Sequence, residues 1–414
     1  MASNIRTIYP TKLIAVKDNR YRNLKNLRNQ PSVVTSGSIN ATQTSLPLNA
    51  ASGDLASLPA TGQLRIDNEW ISYSGVVSNS GIANASRGAF GSSAATHTSG
   101  TFCPFEGWTV LSGVQSVDID TNFNVEQVFE LGQRDIYQTI ENIPEVQITI
   151  NRVLDGTMPA FLITTQPRAD NLLGRVENFK TDLALSIYPS TQSRASGVPN
   201  RTMYASGCFI SAATYTFPID GNFTEEITLV GSDKTWLNSA GEPSGTSFTV
   251  AGNASSTSLA SGIQRRQNIN KSLSEIPAVI PGVTGAGVGN WAGGLDEKIQ
   301  SITISVDLGR EDLFQLGQKT YVSKFVTLPI EVTAAFECVT SEGDRIEALS
   351  DRNNLTNQTI KIVLDDGTSF DLGSANTLAS MSMGGADTGG GNEAITYSFT
   401  NFNVMDVAST RYNI

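Results

Sequence analysis

The chain has 414 residues and 44.1 kDa, with 39% apolar and only 16% charged residues, a length that calls for two or three domains and a composition that excludes a disordered polyelectrolyte. With 39 acidic against 28 basic residues the formal net charge is −11, so non-specific attraction to nucleic-acid phosphates is not its main business. No run of about 18 apolar residues occurs, and the start MASNIRTIYP lacks the charged, apolar, small order of a secretory signal, which argues against membrane insertion and classical export.

Residues 1–35 are basic: Arg6, Lys12, Lys17, Arg20, Arg22, Lys25 and Arg28 face only Asp18. They read as the first part of domain 1 or as an assembly arm, mobile in the monomer and ordered on meeting an acidic neighbour; the plainer alternative is a solvated arm. Residues 36–103 are dense in Gly, Ser, Ala and Asn, with two short strands marked by Leu64/Ile66 and Trp70/Ile71/Tyr73 and a turn at Arg87-Gly88. They predict a small inserted β-domain. His97 is the sole histidine, which removes His-rich metal sites and leaves any Ser/His/Asp triad on one residue; it reads as a hydrogen-bonding turn residue. Cys103, Cys208 and Cys338 are widely spaced and odd in number, the pattern of reduced, partly buried thiols in a cytosolic folding environment. The N-x-S/T triplets are those expected by chance in a chain so rich in Asn, Ser and Thr.

Residues 104–236 and 295–414 form two copies of one unit, separated by a long linker at 237–294. The stretch 114–144 aligns without a gap on 299–329, with Gln115/Gln300, Glu126/Glu311, Phe129/Phe314, Leu131/Leu316, Gly132/Gly317, Gln133/Gln318 and Pro144/Pro329 identical. A fainter echo sets 209–231 over 377–399, with Glu225-x-Ile227-Thr228 over Glu393-x-Ile395-Thr396. Apolar residues alternate at Val117/Ile119, Ile148/Ile150 and Ile302/Ile304/Val306, the period of half-buried strands. The fold class is therefore mainly β, a duplicated antiparallel β-barrel or sandwich plus the small insert, with a short helix near 312–316 or 158–164. The linker reads as functional or poorly ordered, running along a neighbouring subunit. Gly132 and Gly317 occupy one place in both copies, suggesting φ > 0 or a close approach between chains. The run 384–391 lacks the Lys-Ser/Thr of a phosphate loop and reads as a hairpin tip. The carboxylate pairs Asp118/Asp120 and Glu225/Glu226 could serve a glycosidase, but the second copy carries Thr303 and Ser305 in place of Asp118 and Asp120, so they read as a solvated face.

At V-x-S-V-x-I…F-E-L-G-Q…I-P-E-V-x-I-T-I-x-R, at its partner F-Q-L-G-Q…L-P-I-E-V, and at the closing F-P-I-D-G-N-F-T-E-E-I-T-L-V-G, the sequence resembles tail tube proteins of tailed bacteriophages. The insert, I-D-N-E-W-I-S-Y-S-G…S-R-G-A-F-G-S, looks like a small β-module of phage virion proteins. The resemblance implies a non-enzymatic structural subunit of the virion tail, assembled in the host cytoplasm, without cofactor or metal. Its sheet would continue into neighbouring copies around a lumen, six barrels to a ring and hence a pseudo-hexameric trimer. DNA would pass without specific binding, and the implied partners are the chain itself, sheath, baseplate, tape measure and terminator proteins. The residues expected to face the lumen are Asp118, Asp120 and Asn122 in one copy and Thr303, Ser305 and Asp307 in the other; the competing assignment turns those faces outward. A baseplate hub or tail-completion protein of the same fold is the alternative. A carbohydrate-binding β-protein, with Trp70, Tyr73 and Trp108 as a sugar platform, is the more distant one.

Overall fold

Alternating apolar side chains make strands here because each strand has one face to bury. The computed structural model describes residues 11–17, 32–52, 62–165, 180–188, 201–238, 262–281, 297–385 and 392–409, with short interruptions inside those stretches, together with Leu173. The fold is mainly β, in several antiparallel sheets, and the described residues of a single chain close no barrel.

β1 (Thr11–Lys17) is followed by the short strands β2 (Ser32–Thr35), β3 (Leu46–Ser52), β4 (Gly62–Ile66), β5 (Glu69–Tyr73), β6 (Gly75–Val77), β7 (Gly81–Ala83) and β8 (Phe102–Cys103). Leu46, Leu48, Leu64, Ile66, Ile71 and Tyr73 are among the residues of a core of their own. β2 pairs with β8, Val33 opposite Cys103, so the chain enters and leaves this module at adjacent points, as an insertion requires. β1 itself is no mobile arm. It lies between β9 (Trp108–Val110) and β14 (Thr181–Tyr188), and Ile14, Ala15 and Val16 are buried. The apolar run from Ile14 to Val16 supplies core to both faces, which outweighs the flanking charge. Lys12 is exposed on this strand and Lys17 stands opposite Trp108; Arg6, Arg20 and Arg22 lie outside the described residues.

The first copy comprises β10 (Val114–Asn122), β11 (Val125–Phe129), β12 (Ile136–Glu141), β13 (Glu145–Val153), α1 (Ala160–Thr164), β14, β15 (Arg201–Pro218), β16 (Thr224–Gly231) and β17 (Thr235–Asn238). The second comprises β18 (Lys298–Asp307), β19 (Arg310–Leu313), β20 (Ser323–Val326), β21 (Glu331–Val339), β22 (Lys361–Val363), β23 (Thr368–Asp371), β24 (Thr377–Gly384), β25 (Ala394–Phe402) and β26 (Asp406–Ser409). The helix falls within one of the two predicted windows. The other, 312–316, holds the end of β19, because Asp312 stands opposite Lys324 on β20 and forms an ion pair of 2.6 Å with it.

The main sheet runs β10-β13-β16-β15-β18-β21-β25-β24. Each half follows the same order, and the halves meet edge to edge where β15 pairs with β18. The repetition extends to irregularities. β10 bulges between Val114 and Ser116 and β18 between Ile299 and Ser301, and the extra residues, Gln115 and Gln300, each donate from Nε2 to a backbone carbonyl two residues back at 3.0 Å. β15 bulges between Ile210 and Ala212 and β24 between Leu378 and Ser380. The sequence echo holds on β15 and β24 but slips by two residues on β16 and β25. Ile227 opposes Ile150, whose counterpart Phe336 opposes Tyr397 rather than Ile395. A slip of two leaves every side chain on its own face, so alternation alone cannot detect it.

One face of this sheet carries the main core, including Ile148, Ile227, Tyr215, Ile304, Phe336 and Phe399. Phe370, from the three-stranded sheet β22-β23-β26, packs on it 4.5 Å from Tyr215 and 5.3 Å from Phe217 between ring centroids. The described part of the linker belongs to this covering layer. Ile276 and Ile280 are buried, and Ser274 and Glu275 bond across to Val363 and Lys361. Residues 262–281 are therefore packed protein rather than a loose connection, because their apolar residues supply core.

Candidate functional site

The opposite face of the main sheet is polar, and it is where the expected lumen residues fall. Asp118, Asp120 and Asn122 are exposed on β10, Thr303 and Ser305 are half-buried on β18, and Asp307 is exposed at its end. The registers bring the two sets together: Asp118 opposes Thr149, Thr149 opposes Thr228, Thr228 opposes Ala212, and Ala212 opposes Asp307. Hydroxyls link neighbouring strands, Thr149 to Thr228 at 3.4 Å and Ser305 to Thr333 at 2.6 Å. Ser301 donates to Glu337 at 2.9 Å and Asn151 to Glu226 at 3.3 Å. Glu226, Glu331 and Glu337 add to the aspartates; the cations on this side, among the described residues, include Lys298 at the start of β18, and Lys180 and Arg310, which stand 5.6 and 5.3 Å from the centre of the Phe209 ring where Phe209 opposes Val230. The face therefore presents hydroxyls, amides and carboxylates.

Asn122 and Asp307 have a second role that sequence reasoning missed. The Asn122 side chain accepts from the Asn124 amide at 3.0 Å and Asp307 from the Gly309 amide at 2.9 Å. Asn124 and Gly309 share a left-handed backbone, φ 45° and 47°, so both copies turn into their hairpins through the same side-chain-capped bend. The hairpins, β11-β12 and β19-β20, project large apolar groups. Phe129 and Phe314 are 64% and 59% exposed, and Leu131 and Leu316 are fully so. Their identity in both copies was the signal in the sequence. Gly132 and Gly317 follow at φ 89° and 86°, with nothing within 4 Å of where a Cβ would sit. The left-handed backbone, rather than close packing within the chain, explains them.

The other sequence candidates are structural. Glu225 and Glu226 point to opposite faces. Glu225 is fully buried and accepts from the Ala160 and Phe161 amides at 2.7 and 3.0 Å and from the Tyr215 hydroxyl at 3.1 Å, with Arg152 Nε 3.6 Å away. It anchors the start of α1 to the sheet. Burial, then the neighbouring Glu225 carboxylate, pushes the Tyr215 hydroxyl well above its usual pKa. In the insert, Glu69 accepts from Arg87 Nε and Nη2 at 2.7 and 2.6 Å, from the Gly88 and Ala95 amides at 2.9 and 3.0 Å, and lies 2.8 Å from His97 Nε2. Desolvation pushes this carboxyl up, but these bonds outweigh it and hold the pKa down at about 2. His97 thus closes the module rather than serving a nucleophile. Tyr73 is buried, and burial lifts its hydroxyl to about 12, so it is core rather than a sugar platform; the side chains of Trp70 and Trp108 lie outside the described residues. Cys208 and Cys338 are buried free thiols, raised to about 12 chiefly by desolvation. No group of His, Cys, Asp and Glu among the described residues could hold a metal ion, and no described helix is long and apolar enough to cross a membrane.

No protein-family model matches the chain, and no curated protein does so.

Proposed function

We propose that the chain is a structural subunit of a phage tail tube, and that its polar sheet face lines a channel for DNA. The observation that carries this reading is the face itself, eight strands wide, rich in Thr and Ser and acidic at its margins, with Lys298 at one strand end and with Lys180 and Arg310 gathered over Phe209 rather than spread along the rows. A Lys or Arg facing a phosphate gains on the order of 1 kcal/mol of attraction at short range, so a tube lined with them would hold DNA instead of passing it. A hydroxyl and carboxylate lining repels the backbone weakly.

The duplication supports the same reading. Two equivalent half-sheets joined edge to edge already form an arc of a larger ring, and three such chains supply six equivalent units. The covered face carries α1, the β22-β23-β26 sheet and residues 262–281. That bulk fits the outer, wider circumference and leaves the bare face for the channel. Sheath, baseplate, tape measure and terminator proteins are the partners such a tube would meet. Concentrated protein examined by native mass spectrometry and negative-stain microscopy tests this reading. Closed rings of three chains, stacking into tubes, are expected; a persistent monomer, or rings of six chains, would overturn it.

A further inference from the structure

Among the described residues the main sheet ends in two edges without a partner strand, the outer side of β10 and the outer side of β24. We infer that these edges are mates: β24 of one chain pairs antiparallel with β10 of a second copy, in the register that the chain already uses between β15 and β18. The inference rests on the ring reading and gives it an atomic form.

β24 is the structural counterpart of β15, matched through the bulge at Ile210/Ala212 and at Leu378/Ser380. β10 is the counterpart of β18, matched through the bulge at Val114/Ser116 and at Ile299/Ser301. The chain therefore contains one solved example of this junction, with Ala212 opposite Asp307 and Tyr215 opposite Ile304. Carrying the register over sets Ser380 opposite Asn122, Ser382 opposite Asp120, and Met383 opposite Ile119. Faces match under this transfer: Met383 meets Ile119 and Met381 meets Thr121, both on the inward row of β10, and the serines of β24 extend the polar face. A shift of one residue would instead set methionines against aspartates.

Burial shows what the free edges lack. At the internal junction Ile302, Ile304 and Tyr215 are fully buried. Their counterparts Val117 and Ile119 are only half-buried, and Met383 is 54% exposed. A long unpaired edge with exposed apolar groups is an aggregation liability unless a specific partner covers it. A second copy fits, because the complementary edge is present on every chain and the contact is head-to-tail, the kind that closes into rings.

Cysteine pairs in the full-length chain test the register under mild oxidation, on samples checked for rings by microscopy. Directly opposed positions alternate between hydrogen-bonded and non-hydrogen-bonded pairs, so two adjacent in-register pairs are made, Met383→Cys with Ile119→Cys and Ser382→Cys with Asp120→Cys. Met381→Cys with Ile119→Cys is the slipped control. At about 3.4 Å per residue, a two-residue slip moves the partner about 7 Å, beyond disulfide reach. At least one in-register pair should form covalent trimers, with about tenfold less product from the slipped pair. Rings that form while the slipped pair links as well as both in-register pairs, or while neither in-register pair links, would overturn the register and leave the ring reading intact. Variants and parent that form no rings would overturn both.

Discussion

The insert should be an acid-labile module, and Glu69 sets where it fails. Its carboxyl is 1% exposed and its pKa falls from 4.5 to about 2 on folding. A difference of about 2.5 units at 1.36 kcal/mol each is worth about 3 kcal/mol. Because the folded-state pKa is the depressed one, that stabilisation is fully present above about pH 4.5 and is lost as the pH falls toward 2. Such a loss is a large share of what a small domain has in hand. Hydrogen exchange of peptides covering β4 and β5, corrected for intrinsic pH dependence, should show protection falling by about two orders of magnitude between pH 5 and 2. Peptides from β13 and β16 in the main core provide the internal comparison. Glu69→Gln leaves the Arg87 guanidinium, 6% exposed, without its counter-charge, a change of about 3–5 kcal/mol, and should leave β4 and β5 unprotected even at pH 7 while the main sheet stays protected. Constant protection of β4 and β5 relative to β13 and β16 down to pH 2, or a Glu69→Gln chain that keeps the parent's acid profile, would refute the reasoning.

Gly132→Val and Gly317→Val place a β-branched residue at φ near 90° with no steric neighbour, so each should cost about 1–2 kcal/mol by backbone strain alone; urea midpoints read this, and Gly→Asn should recover part of it. Glu225→Gln strips the buried Arg152 of a counter-charge and should lower stability by about 3–5 kcal/mol in urea unfolding, whereas Glu226→Gln, on the solvent face, should stay within about 0.5 kcal/mol. Leu131→Ser with Leu316→Ser removes exposed apolar groups that support nothing within the chain. The monomer's urea midpoint should hold within about 0.5 kcal/mol, while sedimentation shows weaker self-association, since exposed apolar groups of this size mark contact surfaces.

Much of the fold was legible because period and repetition are sequence properties. Alternation at Ile302/Ile304/Val306 identified strands, and the shared Gly132 and Gly317 signalled the positive φ found in both copies. What alternation could not give was register: the two-residue slip of β16 against β25 keeps every face unchanged, and only the partner strand fixes it. Charge misled at the N-terminus. The basic residues suggested an arm, yet Ile14 to Val16 supply two buried faces and hold β1 in a sheet. The linker misled for a similar reason, since its Ser/Gly-rich beginning hid Ile276 and Ile280, which complete the core. The polar face was anticipated at Asp118, Asp120, Thr303 and Ser305, because those residues alternate with the apolar ones. Asn122 and Asp307 as turn-capping residues were not, because the Asn124/Gly309 match becomes informative only once both are known to turn with positive φ.

Electron cryomicroscopy of the assembled protein reads the strand pairing between chains and the lining of the channel together. Three chains per ring are expected, β24 of each beside β10 of the next, with Asp118, Asp120, Thr303 and Ser305 pointing to the axis of a channel poor in Lys and Arg. A map in which α1 and the β22-β23-β26 sheet face the axis, with Asp118 and Asp120 on the outer surface, would contradict this arrangement.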